Sequence, residues 1–140
     1  IGFPGETRQD FNDTLSLMEE VQFDDAFTYY FNPREGTKAA TLENALPKDL
    51  KLERLNELIH LQQQITKRKK ENSIGSTVEA MVESKSKKNS NELLARTEKN
   101  QMVVFQPKSP LKNSPERSAG LFYTVKLQSL KGTTFIGEEA

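Results

Sequence analysis

LLARTEKNQMVVF, residues 93–105, is the stretch that decides how the second half of this chain folds. Two short apolar runs stand on either side of a polar turn, and the second run is rich in β-branched and aromatic residues, as is typical of paired strands. Three more runs of this kind cover residues 77–82, 122–127 and 133–136. Five short strands separated by polar turns predict a small antiparallel β-barrel or a sandwich.

Helical periodicity dominates the first half of the chain. Thr7 stands three residues before Asp10, and apolar residues then recur at helical spacing, which predicts an N-capped helix over residues 8–21. A leucine-rich segment from about residue 47 to residue 70 predicts a second, longer helix. Between the two helices, the aromatic run over residues 26–31 predicts a short buried strand.

A strand that ends at the turn of residues 2–6, the helix at residues 8–21 and the strand at residues 26–31 would form one α/β unit. The whole chain is therefore expected to be of the α+β class. The turn at residues 2–6 contains two glycines, which permit a tight turn and a close approach of the backbone to a ligand. It lacks the Gly-Lys-Ser/Thr ending of a phosphate loop, so a structural turn and a ligand cradle both remain open. Because the helical period ends near residue 72, we expect a boundary at residues 71–74, with domains at residues 1–72 and 73–140.

Charge is distributed unevenly, although the formal net charge is zero. Residues 1–72 hold ten Lys/Arg and thirteen Asp/Glu, whereas residues 73–140 hold ten and seven. A basic second half fits a phosphate-rich partner, because binding releases counterions, although a solvated lysine face is the alternative. The same two interpretations apply to the cluster Lys67–Lys70 at the end of the long helix, where cations also suit the helix dipole.

Catalytic chemistry is not expected in this chain. It has no cysteine, which excludes disulfides, thiolate metal sites and cysteine-ligated iron–sulfur clusters within it. The single histidine, His60, lies within the leucine-rich helix and is expected to be a surface or packing residue. No apolar run is long enough for a membrane span and no signal peptide leads the chain, so we expect a cytoplasmic protein without a membrane partner.

Polar turns of the expected barrel carry candidate RNA-binding residues. Basic turns on a small barrel can grip RNA through its phosphates and its splayed bases. The residues in the turn after the first strand and beside the next hairpin are Ser86, Lys87, Lys88, Arg96, Lys99 and Asn100. Phe105, Phe122 and Tyr123 could stack on bases, but isolated aromatics on strands more often belong to the core.

These residues combine into motifs that resemble one enzyme family. The motifs are GFPGET at residues 2–7, YFNPREGT at 30–37, SKK at 86–88, RTEKN at 96–100 and VVF at 103–105. They resemble the last part of the radical S-adenosylmethionine domain, and the appended TRAM domain, of the tRNA methylthiotransferases. The lysine–asparagine pattern is similar to the branch that modifies N6-isopentenyl-type adenosine next to the anticodon.

The resemblance implies that the chain is the C-terminal piece of such an enzyme. Residues 1–72 would be a remnant of the α/β radical S-adenosylmethionine barrel, and residues 73–140 an OB-like TRAM barrel that holds the tRNA anticodon arm. The family's cofactors are S-adenosylmethionine and two 4Fe-4S clusters, whose cysteines would lie outside this chain, so the piece alone is expected to be inactive. Residues implied to line the S-adenosylmethionine pocket are Gly2, Pro4, Gly5, Glu6, Asn32 and Arg34.

Two other functions fit the same residues. A stand-alone TRAM-type module would bind RNA without a catalytic parent, and the related methylthiotransferase branch would act on a ribosomal protein. Cysteines in Cys-x-x-x-Cys-x-x-Cys spacing in a longer reading frame would exclude the first alternative. In each case we expect a monomer.

Overall fold

The computed structural model describes residues 1–108 and 119–140, which separate into two compact units, Ile1–Lys69 and Lys70–Ala140. The three prolines within residues 106–120 predict a long exposed loop, and most of this range lies outside the described residues. In the described part of the chain, no helix is both long and apolar enough to cross a membrane.

Two helices confirm the helical predictions. Helix α1 covers Arg8–Val21 and helix α2 covers Lys48–Asn72. The N-terminus of α1 carries the expected capping box: the Asp10 amide donates to Thr7 Oγ1 at 3.1 Å, and the Thr7 amide donates to Asp10 Oδ2 at 2.8 Å. These two bonds satisfy backbone donors that the first turn of a helix leaves without partners.

The first unit has a small core. Phe11 and Met18 of α1 and Leu58 and Ile65 of α2 are buried together. Each pair is seven residues apart, which places both members on one face of their helix. A short 3-10 turn at Lys38–Thr41 is the remaining helical element described in this unit.

The prediction of a buried strand at residues 26–31 is wrong. The segment is extended, and it pairs with residue 1 through two bonds: Ile1 N donates to Tyr29 O at 2.9 Å, and Phe31 N donates to Ile1 O at 2.6 Å. Yet Phe27 is 91% exposed and Tyr29 is 74% exposed. Aromatic composition favours a strand only where neighbouring strands cover it, and the described residues place no strand beside this segment.

The second unit is a closed five-stranded barrel, which confirms the five predicted strands. They are β1 (Thr77–Lys85), β2 (Leu93–Thr97), β3 (Met102–Gln106), β4 (Phe122–Lys131) and β5 (Thr134–Glu139). Around the barrel the order is β1-β2-β3-β5-β4, and β4 pairs with β1 to close it. The core is formed by inward residues of all five strands.

The barrel is mixed, so the prediction of a purely antiparallel barrel is wrong. Strands β3 and β5 pair in parallel, with Val103 opposite Phe135, whereas the other four pairs are antiparallel. Strand directions cannot alternate around a closed ring of odd number, since one neighbouring pair must then point the same way. Five strands therefore require at least one parallel pair as soon as the barrel closes.

Candidate nucleic-acid interface

Arg96 lies on the outer face of β2 and is held by a carboxylate from β1. Its guanidinium donates to both oxygens of Glu83, from Nε to Oε1 and from Nη2 to Oε2 at 3.2 Å. This hydrogen-bonded pair lowers the pKa of Glu83 below its ordinary value and raises the pKa of Arg96. Planar two-point contacts of this kind fix orientation as well as charge.

A β-bulge brings Glu83 to this position. The pairing of β1 with β2 runs from Val82 opposite Ala95 to Ser84 opposite Leu94, so Glu83 is the extra residue. Bulges of this kind bend a strand and re-aim its side chains. Here the bulge places the carboxylate beside Arg96.

Asn100 completes the arrangement from the β2–β3 turn. Its backbone is left-handed, with φ of 60°, a conformation that Asn adopts more readily than most residues. Asn100 Oδ1 accepts a bond from Arg96 Nη1 at 2.7 Å. The amide Nδ2 then carries hydrogen-bond donors with no partner among the described residues, so it can face a base or a ribose.

Ser86, Lys87 and Lys88 lie in the β1–β2 loop. The Ser86 amide donates to Glu92 O at 2.9 Å, and the Lys88 amide approaches Ser86 Oγ at 3.4 Å. These contacts shape the backbone of the loop, while the side chains of Lys87 and Lys88 remain exposed. Both ammonium groups are therefore accessible to phosphates.

Of the six candidate RNA-binding residues, Arg96 lies on β2 and the other five lie in the turns before and after it. Ser86, Lys87 and Lys88 precede the start of β2, whereas Lys99 and Asn100 follow its end. At a strand rise of about 3.3 Å per residue, the two ends of β2 are roughly 13 Å apart. The outer face of β2, where Arg96 lies, is the most direct connection between the two turns.

The three aromatic candidates have different surroundings. Phe105 is buried in the barrel core, as expected, and the half-buried Tyr123 packs against it with ring centroids 5.3 Å apart. Phe122 is 61% exposed, on the outer face of β4. The expectation of a core position is therefore wrong for Phe122, because strand alternation turns it outward next to the inward Tyr123.

The basic end of α2 is engaged in contacts within the protein. In the first unit, Arg68 Nη2 donates to Gln22 Oε1 at 2.6 Å, and Lys69 Nζ donates to Gln22 O at 2.5 Å. In the second unit, Lys70 Nζ donates to Thr133 O at 2.8 Å. Lys69 thus places a cation at the C-terminus of α1, which has no basic residue in its own last turn.

In the first unit, Gly2 and Pro4 border a pocket of about 70 Å³. Phe31 and Pro33, which flank the candidate pocket residue Asn32, contribute to its wall together with alanines and leucines. The one charged side chain in the wall is Lys51, whose Nζ donates to Phe31 O at 3.0 Å. Asn32 and Arg34 are exposed beside Pro33 and do not belong to the wall.

Both carboxylate oxygens of Glu6 accept hydrogen bonds from within the first unit. Its Oε2 accepts from the Gly2 amide at 2.7 Å, and its Oε1 accepts from Arg54 at 2.6 Å in a largely buried ion pair. Gly5 donates its amide to Asn44 O at 3.0 Å. The turn at residues 2–6 is thus held by the protein's own hydrogen bonds.

These residues do not by themselves fit a whole S-adenosylmethionine. Pockets for ligands of that size are typically about 300–1,000 Å³ with several convergent polar groups, whereas this one is about 70 Å³. A chain without cysteine also cannot ligate a 4Fe-4S cluster, and the described residues contain no metal-binding cluster of His, Cys, Asp and Glu.

His60 is exposed on α2, and its ring Nε2 lies 2.7 Å from Gln64 Nε2.

Comparison with known proteins gives a consistent result. Residues 71–135 match the TRAM domain. A tRNA-2-methylthio-N(6)-dimethylallyladenosine synthase of Treponema denticola is 44% identical over 96% of this chain and 29% of its own length. The enzyme of the same name from Moorella thermoacetica is 48% identical over 75% of this chain and 24% of its own length. That from Methylacidiphilum infernorum is 41% identical over 98% of this chain and 28% of its own length. The chain spans less than a third of the length of these relatives.

Proposed function

Because this chain is a homologue of the tRNA-2-methylthio-N(6)-dimethylallyladenosine synthases and its residues 71–135 belong to the TRAM family, we propose that it binds tRNA as part of such an enzyme. Residues 1–72 are then the C-terminal part of the radical S-adenosylmethionine domain, and residues 73–140 are the TRAM domain. The whole enzyme adds a methylthio group to an N6-isopentenyl-type adenosine next to the anticodon, as a cytoplasmic monomer. Both 4Fe-4S clusters are held outside this chain.

The observation that carries this proposal is the polar outer surface of the barrel. Exposed lysines stand at both ends of β2: Lys87 and Lys88 at its start, and Lys99 after its end. Between them Arg96 orients Asn100, whose free Nδ2 can donate to RNA. Lysines contact phosphates and position an RNA, whereas an amide can read a base edge or a 2′-hydroxyl.

For the first unit we propose that it contributes to the S-adenosylmethionine pocket of the whole enzyme. Gly2, Pro4, Gly5, Glu6, Asn32 and Arg34 would form one wall on the S-adenosylmethionine side of a larger barrel. The small apolar pocket beside Gly2 and Pro4 supports a wall rather than a complete site. Catalysis by this chain alone is therefore not expected.

Fluorescence anisotropy with a labelled anticodon stem-loop over a salt series tests the proposal. The parent chain should bind, and affinity should fall steeply with salt. Lys87→Ala/Lys88→Ala should weaken binding to every RNA and lower the salt slope by about two, since each phosphate-contacting lysine contributes about one. Asn100→Ala should instead reduce selectivity for the anticodon arm while the salt slope stays nearly intact.

A matched control is available in the first unit. Lys38 and Lys48 are exposed there, so Lys38→Ala/Lys48→Ala removes the same charge from the first unit and leaves the barrel sequence unchanged. This control should bind like the parent chain. Equal binding by the two double variants at every salt concentration would show that the proposed RNA surface is wrong.

A further inference from the structure

One exposed aromatic side chain on the barrel is not explained by the fold. Phe122 is 61% exposed at the start of β4, whereas Phe105 and Phe135 are buried and Tyr123 is half-buried. Its neighbour across the β1–β4 pair is Met81, which faces outward and is 38% exposed. A large ring on the outside of a strand contributes little to the barrel core.

Phe122 begins a row that crosses three strands. Phe122 pairs with Met81, and Met81 pairs in turn with Arg96 on β2. All three lie on the outer face of their strands, since the residues next to Met81 and Arg96 are buried and Tyr123, which follows Phe122, packs against the core. With neighbouring strands about 4.8 Å apart, the backbones of Phe122 and Arg96 are roughly 10 Å from each other. The Arg96 end of the row lies on β2, between the two lysine-bearing turns.

We propose that this row, Phe122, Met81 and Arg96, is a stacking platform for one unpaired base of the bound RNA. The base lies on the Phe122 ring and the Met81 thioether, and Asn100 Nδ2, held by Arg96, donates to the same nucleotide or the next one. Single-stranded nucleic acid is commonly bound by stacking of its bases on aromatic side chains. This platform rests on the proposed RNA-binding function and adds to it the group that receives a base.

Charge around the row favours a base over a phosphate. Glu79 and Glu83 flank Met81 on the same outer face of β1. Glu83 also neutralises Arg96 through their ion pair. With Arg96 and Glu83 paired, Glu79 leaves the row without positive charge to attract a phosphate. A neutral base is not repelled there, and the phosphates go to the lysines near the ends of β2.

The same carboxylates disfavour an apolar protein partner. The buried centres of protein interfaces are depleted in Glu, and here two glutamates adjoin Met81 on its strand. The excess of ten Lys/Arg over seven Asp/Glu in residues 73–140 further favours a polyanion. RNA supplies both the bases and the negative charge that this surface requires.

Substitution of Phe122 tests the platform in the full chain. Phe122→Ala should weaken binding of an anticodon stem-loop by about 5- to 150-fold, the effect of losing one stacked base. The salt slope should not change, since the ring carries no charge. Phe122→Leu keeps apolar volume and should also bind weakly, whereas Phe122→Trp should bind like the parent. Phe27→Ala, which removes an exposed ring from the first unit, is the matched control and should have no effect.

A base-specific readout separates stacking from general loss of affinity. With 2-aminopurine at each unpaired loop position in turn, one position should be quenched by the parent and Phe122→Trp but not by Phe122→Leu at saturating protein. If the parent binds RNA, and Phe122→Ala and Phe122→Leu bind it as tightly as the parent does, the platform is overturned while the proposed function stands. If the parent does not bind RNA at any salt concentration, both proposals are overturned.

Discussion

Arg96 shows at the scale of one residue how the fold changes what a sequence motif predicts. The sequence places Arg96 among the candidate RNA-binding residues, but its guanidinium donates to Glu83 and Asn100 within the protein. Glu83 comes into contact through a bulge, which spacing along the chain does not reveal. We therefore propose that Arg96 positions Asn100 and that the exposed lysines contact the phosphates.

The Arg96–Glu83 pair makes a prediction about pH. Because the hydrogen bond from Arg96 lowers the pKa of Glu83, Arg96→Gln should move that pKa upward toward its ordinary value. The stabilisation from the pair is present above the unfolded pKa and is lost as pH falls through the lower, folded pKa. NMR of the Glu83 carboxyl carbon over an acid titration measures the pKa of Glu83 in the parent and in Arg96→Gln.

Asp10 is the control for this titration. Its pKa is lowered mainly by the side-chain hydrogen bond with Thr7, so Arg96→Gln should leave it in place. An identical midpoint for Glu83 in the parent and in Arg96→Gln would mean that the pair does not form in solution.

At the scale of elements, local patterns were sufficient where local interactions decide the structure. Helix α1 and the five strands were predictable because capping and alternation lie within each segment. Residues 26–31 were not, because burial of a strand depends on neighbours distant in sequence. The parallel β3–β5 pair also follows from barrel closure rather than from the sequence of either strand.

The buried Arg54–Glu6 pair makes a prediction about the first unit. The two side chains are only 5% and 14% exposed, and Arg54 Nε has no hydrogen-bond partner. Glu6→Ala would leave a buried cation without its carboxylate and should destabilise this unit by about 3 kcal/mol. Urea unfolding monitored by the helical circular dichroism signal measures the loss.

An exposed ion pair in the same unit provides the comparison. Arg8 and Glu57 are 53% and 40% exposed, so Glu57→Ala should cost less than about 1 kcal/mol. Similar unfolding midpoints for Glu6→Ala and Glu57→Ala would show that the Arg54–Glu6 contact contributes no more than a surface pair.

At the scale of the whole molecule, the two units differ in how completely they are built. The barrel is closed, and every strand contributes side chains to its core. The first unit, as described, buries four large apolar side chains and exposes Phe27 and Tyr29. Residues 1–72 are also acidic in balance and residues 73–140 basic. The charge asymmetry was readable from the sequence, but the exposure of the aromatic segment was not.

Hydrogen exchange should reveal this difference. The slowest amides should lie in the barrel strands, and amides before residue 50 should exchange faster, because fewer buried contacts oppose their opening. Mass spectrometry of peptides from each unit measures the rates. Equal and strong protection in both units would mean that the first unit is stable without further covering.

The most direct test of tRNA binding by the barrel is an NMR titration of the isotope-labelled chain with an anticodon stem-loop. Amide shifts should change at Lys87, Lys88, Asn100 and Phe122, and residues of the first unit should remain largely unaffected. The changes should diminish as salt is raised, since phosphate contacts dominate the affinity. Shift changes confined to the first unit, or none at RNA concentrations well above that of the protein, would contradict the proposal.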